Sequence, residues 1–365
     1  MRNISYADLA NPSLHALPTY EPGKPIETVA LEYGIDAVSI VKMASNENPL
    51  GPSPMALAAA SAVLRDANFY PDGNTTLLRK KLAHHWGLAP DQFVIGNGSN
   101  EAMILLAQSF LLPGDEVVFG SEAFIVYKLA ALLFGAKPIP VPMPAHTHDL
   151  DAMRDAVTAK TKLVFLACPN NPTGTTNPPE AILAFARSLP PHVILCVDEA
   201  YAEFPTLTAD LRPLINEGRK IVGARTFSKI YGLAGLRVGY LYGNPSLATL
   251  VQKARQPFNV NLVAQAAAIA ALDDTAFVHH ARETNTAGMH QLATGLRSMH
   301  LDFIPSEGNF LVFHTTGAKR IFDTLQQRGV IVRPLVGYGM PESLRVTVGT
   351  HAQNERFLQT LYEVR

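Results

Sequence analysis

Val193-Ile194-Leu195-Cys196-Val197 is an unbroken apolar run, and it stops abruptly at Asp198, followed by Glu199-Ala200-Tyr201. A short run of this kind, rich in β-branched side chains, reads as a strand buried on both faces. Comparable runs occur at Leu163 to Ala167, Ile221 to Ala224 and Val238 to Tyr242, with others at Phe93 to Ile95 and Glu116 to Phe119. Helical patterns lie between several of them, such as the one from Asn100 to Leu112, and an apolar helix to Leu64 precedes the first. Apolar strands separated by helices predict an α/β fold whose mostly parallel central sheet is covered by helices. Ligands collect at the carboxyl ends of such strands, so the residues following each run are the candidates for chemistry.

Composition narrows the class of protein further. Of the 365 residues, 47% are hydrophobic and 17% charged, far from the disordered range. The 30 Lys and Arg nearly balance the 31 Asp and Glu, for a net charge of −1, so bulk charge points to no nucleic-acid partner. Cys168 and Cys196 each sit in an apolar run, which suits buried thiols in a reducing cytoplasm rather than a disulfide framework. The N-terminus has no apolar core of signal-peptide length, and no stretch approaches about 18 uninterrupted apolar residues, so neither secretion nor membrane spanning is expected. The 12 histidines, adjacent pairs His84-His85 and His279-His280 included, show no metal-ligand spacing. No metal is expected.

At about 150 residues per domain, the length predicts two to three domains with a cleft between them. Residues 1–45, with the proline-rich stretch Leu17-Pro18-Thr19-Tyr20-Glu21-Pro22-Gly23-Lys24-Pro25 and a helical pattern from Ile26 to Tyr33, read as an arm packing with a small domain. Residues 46–255 form the large domain. Residues 256–365 start with an alanine-rich helix at Asn261 to Leu272 and a polar helix to about Met299. Strands at Leu301 to Ile304, Asn309 to Phe313 and Leu344 to Val348 then make the small domain α+β.

Chemistry concentrates at the strand ends. Arg225-Thr226-Phe227-Ser228-Lys229 and Arg237 place one lysine among hydroxyls, near a cation that depresses its pKa and favours the neutral amine that condenses with carbonyls. Thr226, Ser228 and Arg237 together suit an anion, so the segment fits a phosphorylated carbonyl compound such as pyridoxal phosphate. Gly96-Asn97-Gly98-Ser99-Asn100-Glu101 opens a helix after a strand and serves equally as a structural turn or a phosphate cradle. Asp198 reads either as a helix N-cap or as the partner of a cation such as a protonated ring nitrogen, with Tyr201 within reach of a phenolic oxygen. Asn171, in Cys168-Pro169-Asn170-Asn171-Pro172-Thr173-Gly174, is held extended by the following proline. Phe124 is either core or a stacking face for a planar ring. Arg345, in the apolar alternation Leu344-Arg345-Val346-Thr347-Val348, and Arg333 are cations for a substrate anion or members of ordinary ion pairs.

In their order along the chain, these motifs resemble the fold-type I pyridoxal-phosphate aminotransferases, most closely the histidinol-phosphate aminotransferases. Ser45-Asn46-Glu47-Asn48-Pro49-Leu50-Gly51, Tyr70-Pro71-Asp72-Gly73 and Leu344-Arg345-Val346-Thr347-Val348-Gly349-Thr350 extend the likeness across nearly the whole chain. The resemblance implies that Lys229 is the cofactor lysine and proton carrier, that Asp198 pairs with the ring nitrogen, and that Asn171 and Tyr201 hold the phenolic oxygen. It places Gly98, Ser99, Asn100, Thr226, Ser228 and Arg237 around the cofactor phosphate. It also implies a homodimer in which Tyr70 reaches the neighbouring subunit's phosphate, with Tyr20, Asn48, Arg333 and Arg345 at the substrate. Many members carry Pro-Thr-Tyr or Pro-Ser-Tyr where this chain has Glu122-Ala123-Phe124, so Phe124 keeps the stacking face and loses a hydroxyl. The activity implied is amino transfer between glutamate and imidazole-acetol phosphate in histidine biosynthesis. The alternatives on the same fold are an aromatic amino acid aminotransferase and a threonine-phosphate decarboxylase.

Overall fold

Strand β1 (Val41–Lys42) precedes the seven strands of a large sheet: β2 (Phe93–Gly96), β3 (Glu116–Gly120), β4 (Lys137–Val141), β5 (Thr161–Ala167), β6 (Ile194–Asp198), β7 (Ile221–Thr226) and β8 (Gly239–Gly243). Five more follow: β9 (Phe303–Ile304), β10 (Phe310–His314), β11 (Val330–Ile331), β12 (Arg333–Leu335) and β13 (Met340–Thr347). The computed structural model describes residues 4–17 and 23–365. The large sheet has the order β2-β8-β7-β6-β5-β3-β4. From β4 to β7 neighbouring strands are parallel, whereas β8 runs antiparallel between β7 and β2.

Two features of this sheet differ from the sequence reading, which left out β4 and did not anticipate the reversal of β8. Strand β4, Lys137-Pro138-Ile139-Pro140-Val141, contains two prolines that cannot donate to a ladder, and it occupies the sheet edge, where such residues are tolerated. The link from β7 to β8 contains no α-helix that could carry a parallel crossover, so the chain returns antiparallel.

Side chains alternate between two cores, as a strand's two-residue period requires. Phe93, Ile95, Val118, Val164, Leu166, Leu195 and Val197 enter one core, and Val94, Val117, Leu163, Phe165, Cys196 and Val222 the other. The alanine-rich helix Leu262–Ala271, expected in the small domain, adds Ala264, Ala267, Ala268 and Ala271 to the first of these cores. It packs on the helix Pro54–Val63 through Ala56 and Ala60, where small side chains let the two helices approach closely. The change of core therefore falls within the long helix Thr275–Ser298, whose Ala281 belongs to the large core and whose Leu292 and Leu296 belong to the next.

That next core lies on an antiparallel sheet of order β12-β13-β10-β9, with Leu311, Phe313, Leu344 and Val346 buried against Leu292, Leu296, Phe357 and Leu361. The N-terminal segment joins this side of the molecule. Val41 and Lys42 of β1 pair in parallel with Val330 and Ile331 of β11, and Val29, Ile40 and Ala44 bury against Ile331. Among the described residues, no helix is long and apolar enough to cross a membrane, and no cluster of His, Cys, Asp and Glu could hold a metal ion.

Candidate active site

A cavity of about 280 Å³ opens where the carboxyl ends of β5, β6 and β7 meet β12, β13 and the segment Ala44–Glu47. Thr226 ends β7, and Phe227 is then fully buried, its backbone N–H donating to the Val238 carbonyl at 3.1 Å. Anchoring Phe227 in the core brings Ser228 and Lys229 out on the cavity side. The Lys229 Nζ donates to the Ser45 carbonyl at 3.1 Å and lies 5.5 Å from the centroid of the Tyr201 ring. Burial, with Arg345 close by and Arg237 adding to it, lowers the amine to about 8. A neutral, nucleophilic fraction therefore exists close to neutral pH.

At one end of the cavity the donors suit a phosphate. Ser99 and Asn100 present the first turn of the helix Gly98–Phe110, where main-chain amides and the helix dipole favour an anion. Thr226 Oγ1 lies 3.0 Å from Ser228 Oγ, and Arg237 Nη1 approaches that Ser228 oxygen at 3.4 Å. Arg237 stands at φ +56°, an uncommon backbone for a non-glycine residue. Gly98, at φ +81°, lies behind this cluster, where a Cβ would come 2.8 Å from Arg237 Nη2. A glycine here leaves the guanidinium its place beside Ser228.

The middle of the cavity is set by β6. Asp198 at its carboxyl end is 6% exposed, and its Oδ1 accepts from the Ala200 N–H at 3.1 Å. Burial raises its carboxyl to about 6. The next residue, Glu199, points to the opposite side and pairs with Arg225 at 3.0 Å, while Tyr242 donates to it at 2.7 Å. Arg225 also reaches Glu203 at 2.9 Å and lies 4.3 Å from the Trp86 ring centroid. This buried ion network was not read from the sequence, although Arg225 interrupting an apolar strand was a signal that an acid had to face it. Tyr201 lines the cavity and accepts from Asn46 Nδ2 at 2.8 Å; burial pushes its phenol up to about 12. Phe124 lines the cavity from the turn before the helix Val126–Leu133.

A second cationic group lines the cavity. Register pairs Arg333 of β12 directly with Arg345 of β13, and both line the cavity beside Tyr338 and Glu47. Like charges held opposite each other concentrate positive potential there. Arg345 donates to the Ala44 carbonyl at 2.7 Å and to Asn171 Oδ1, and its guanidinium lies 5.2 Å from the Phe310 ring centroid. Asn171 also lines the cavity.

One residue expected at the substrate, Asn48, is not found there. Asn48 does not line the cavity: its oxygen accepts from the Leu50 N–H at 3.0 Å within its own turn, and its nitrogen donates to the Ile230 carbonyl at 2.7 Å, tying that turn to the segment after Lys229. Its neighbour Asn46 takes the cavity position. Tyr70 is 82% exposed and stacks on Phe258 at 4.7 Å, away from this chain's cavity. Tyr20 lies outside the described residues. Asn46 and Tyr127 were missed by the sequence reading, because an asparagine in a turn and a tyrosine on a helical pattern carry no distinguishing signal of their own.

Comparisons with known proteins agree with this geometry. The family described as aminotransferase class I and II matches residues 38–361. A histidinol-phosphate aminotransferase from Nitrosospira multiformis is 47% identical over 361 residues, covering 98% of this chain and 92% of its own length. One from Methylobacillus flagellatus is 48% identical, covering 98% and 97%. Among solved structures, the Sinorhizobium meliloti histidinol-phosphate aminotransferase in complex with pyridoxal-5'-phosphate superposes with a TM-score of 0.88 at 28% identity, over 97% of each chain. A Thermus thermophilus aspartate aminotransferase, 23% identical with a TM-score of 0.85 over both full chains, shares the fold. The chain belongs to the class I and II aminotransferases and, within them, to the histidinol-phosphate aminotransferase family.

Proposed function

We propose that this chain uses pyridoxal phosphate to move an amino group between glutamate or 2-oxoglutarate and imidazole-acetol phosphate or histidinol phosphate. The observation that carries the substrate assignment is the register pair Arg333 and Arg345, which lines the same cavity as the Arg237 cluster and adds a second cationic group to it. Glutamate presents a carboxylate and histidinol phosphate a phosphate ester, and a guanidinium fork accepts either anion in turn. The full-length likeness to histidinol-phosphate aminotransferases supports the same choice.

The donor set fits the cofactor. A glycine-backed anion cradle, a lysine with a lowered pKa and a buried carboxylate line one cavity. When bound, pyridoxal phosphate supplies an aldehyde for the substrate amine and a ring that withdraws electrons from the adjacent carbon. In this reading Ser99, Asn100, Thr226, Ser228 and Arg237 would hold the phosphate, Phe124 would offer its ring to the pyridine, and Asn171 and Tyr201 would serve the phenolic oxygen. Asp198, as a carboxylate, would pair with the ring nitrogen. Lys229, as the neutral amine, would take a proton from the substrate carbon in one direction of transfer and give one to that carbon in the reverse direction. Arg345, assisted by Arg333, orients the substrate through its anion.

Two further features belong to the same proposal. A homodimer is supported by the exposed apolar set Phe69, Tyr70 and Leu77, with Phe258 beside Tyr70. A reducing cytoplasm suits Cys168 and Cys196, which are buried and free.

Steady-state kinetics of the purified protein with histidinol phosphate, phenylalanine, tyrosine and threonine phosphate, each with 2-oxoglutarate, test the assignment. Histidinol phosphate should give the highest kcat/KM. Arg345→Leu should lower kcat/KM for both glutamate and histidinol phosphate by about 10- to 100-fold, as expected when one charged hydrogen-bonding partner is lost. Carbon dioxide release from threonine phosphate, or no glutamate-dependent turnover of imidazole-acetol phosphate, would overturn the reading.

A further inference from the structure

Tyr127 is fully buried within the helix Val126–Leu133, and its hydroxyl donates to Asp198 Oδ2 at 2.7 Å. Its ring is clamped. It stacks on Phe165 of β5 at 4.7 Å with the planes 4° apart, and meets Phe119 and Phe124 edge-on at 6.0 to 6.3 Å. A tyrosine held this way can aim its hydroxyl in only one direction. With the Ala200 N–H on the other oxygen, the two donors fix the plane of the Asp198 carboxylate while leaving lone pairs on the cavity side. The same ring backs Phe124, so one side chain supports two of the groups that face the cavity.

Resting on the cofactor reading above, we propose that Tyr127 is a positioning residue that orients the Asp198 carboxylate and keeps its negative charge on the aspartate, so that the shared proton resides on the pyridine nitrogen of pyridoxal phosphate. Burial alone drives Asp198 toward its neutral form, and the Tyr127 hydrogen bond is the largest effect opposing it. The phenol cannot take over the charge. Burial and the adjacent Asp198 raise it well above its ordinary value, so it remains a donor throughout the working pH range. Removing the hydroxyl makes the aspartate more basic and moves the shared proton from the ring toward the carboxylate.

The test compares Tyr127→Phe with Asp198→Asn and the wild type, using apoenzyme reconstituted with pyridoxal phosphate labelled at the ring nitrogen. Cofactor affinity is read by fluorescence titration and ring protonation by nitrogen NMR. Tyr127→Phe should weaken cofactor binding about tenfold or more, the loss expected for one hydrogen bond to a charged group, and shift the nitrogen signal toward neutral pyridine. Asp198→Asn should do both to a greater degree. Unchanged affinity and nitrogen signal in Tyr127→Phe, with only a lower Tm, would reduce Tyr127 to a packing residue and overturn the proposal. If Asp198→Asn also leaves both unchanged, the cofactor reading of Asp198 fails with it. Should Tyr127→Phe not fold, a fluorinated tyrosine at 127, a stronger donor of nearly the same shape, should move the nitrogen signal further toward pyridinium, and no movement would overturn the proposal.

Discussion

In the proposed reaction Lys229 must lose its proton close to the working pH. The structure lowers its amine by burying it and by setting Arg345 and then Arg237 within electrostatic reach. An amine lowered to about 8 is neutral above that pH and protonated below it, so its reactivity should rise with pH and level off above about 8 instead of climbing toward the ordinary lysine value. Competitive labelling of the apoenzyme with an isotopic anhydride, read at the Lys229 peptide, measures this. Arg345→Leu removes a positive neighbour and should move the midpoint upward. Lys229 itself was legible in sequence because its hydroxyl-rich, glycine-rich surroundings are unusual for a lysine. Tyr127 and Asn46 were not: their partners Asp198 and Tyr201 are 71 and 155 residues away, and nothing local distinguishes such a contact.

At the level of elements, the site depends on strands ending together and on the turns that follow them. A side chain at Gly98 is strained, because φ is +81°, and its Cβ would push the Arg237 guanidinium aside. Gly98→Ala should therefore displace the guanidinium and weaken binding of pyridoxal phosphate about tenfold, the scale of one charge-assisted hydrogen bond. Binding of pyridoxal, which lacks the phosphate, should change little. Titrating the apoenzyme with both aldehydes separates the two effects. Apolar runs made most strands readable, since burial on both faces leaves a continuous hydrophobic signature. Strand β4 escaped because its prolines and exposed residues look like a loop, and only its place at the sheet edge makes it a strand. Arg333 and Arg345 were each visible as cations, but that they face one another is a matter of register between β12 and β13.

Across the whole molecule, the cavity draws on both sheets and on the N-terminal segment, and the proposed homodimer would add a neighbour's Tyr70. Mixed dimers test that arrangement. A chain carrying Lys229→Ala and a chain carrying Tyr70→Ala should each be impaired alone, whereas mixing and reassembly should restore one intact site in each mixed dimer. Failure to recover activity, with dimers present by sedimentation, would confine Tyr70 to its own chain's surface. By itself the sequence determined the class of fold, the order of the motifs and the chemistry each could perform, because these follow from local periodicity, turn residues and side-chain type. Only the tertiary structure decided which residues meet: Asn46 rather than Asn48 at the cavity, Tyr127 behind Asp198, the alanine helix in the large core, and two arginines side by side. Those outcomes depend on strand register, crossover and close packing between segments far apart in the chain, and no local pattern encodes them.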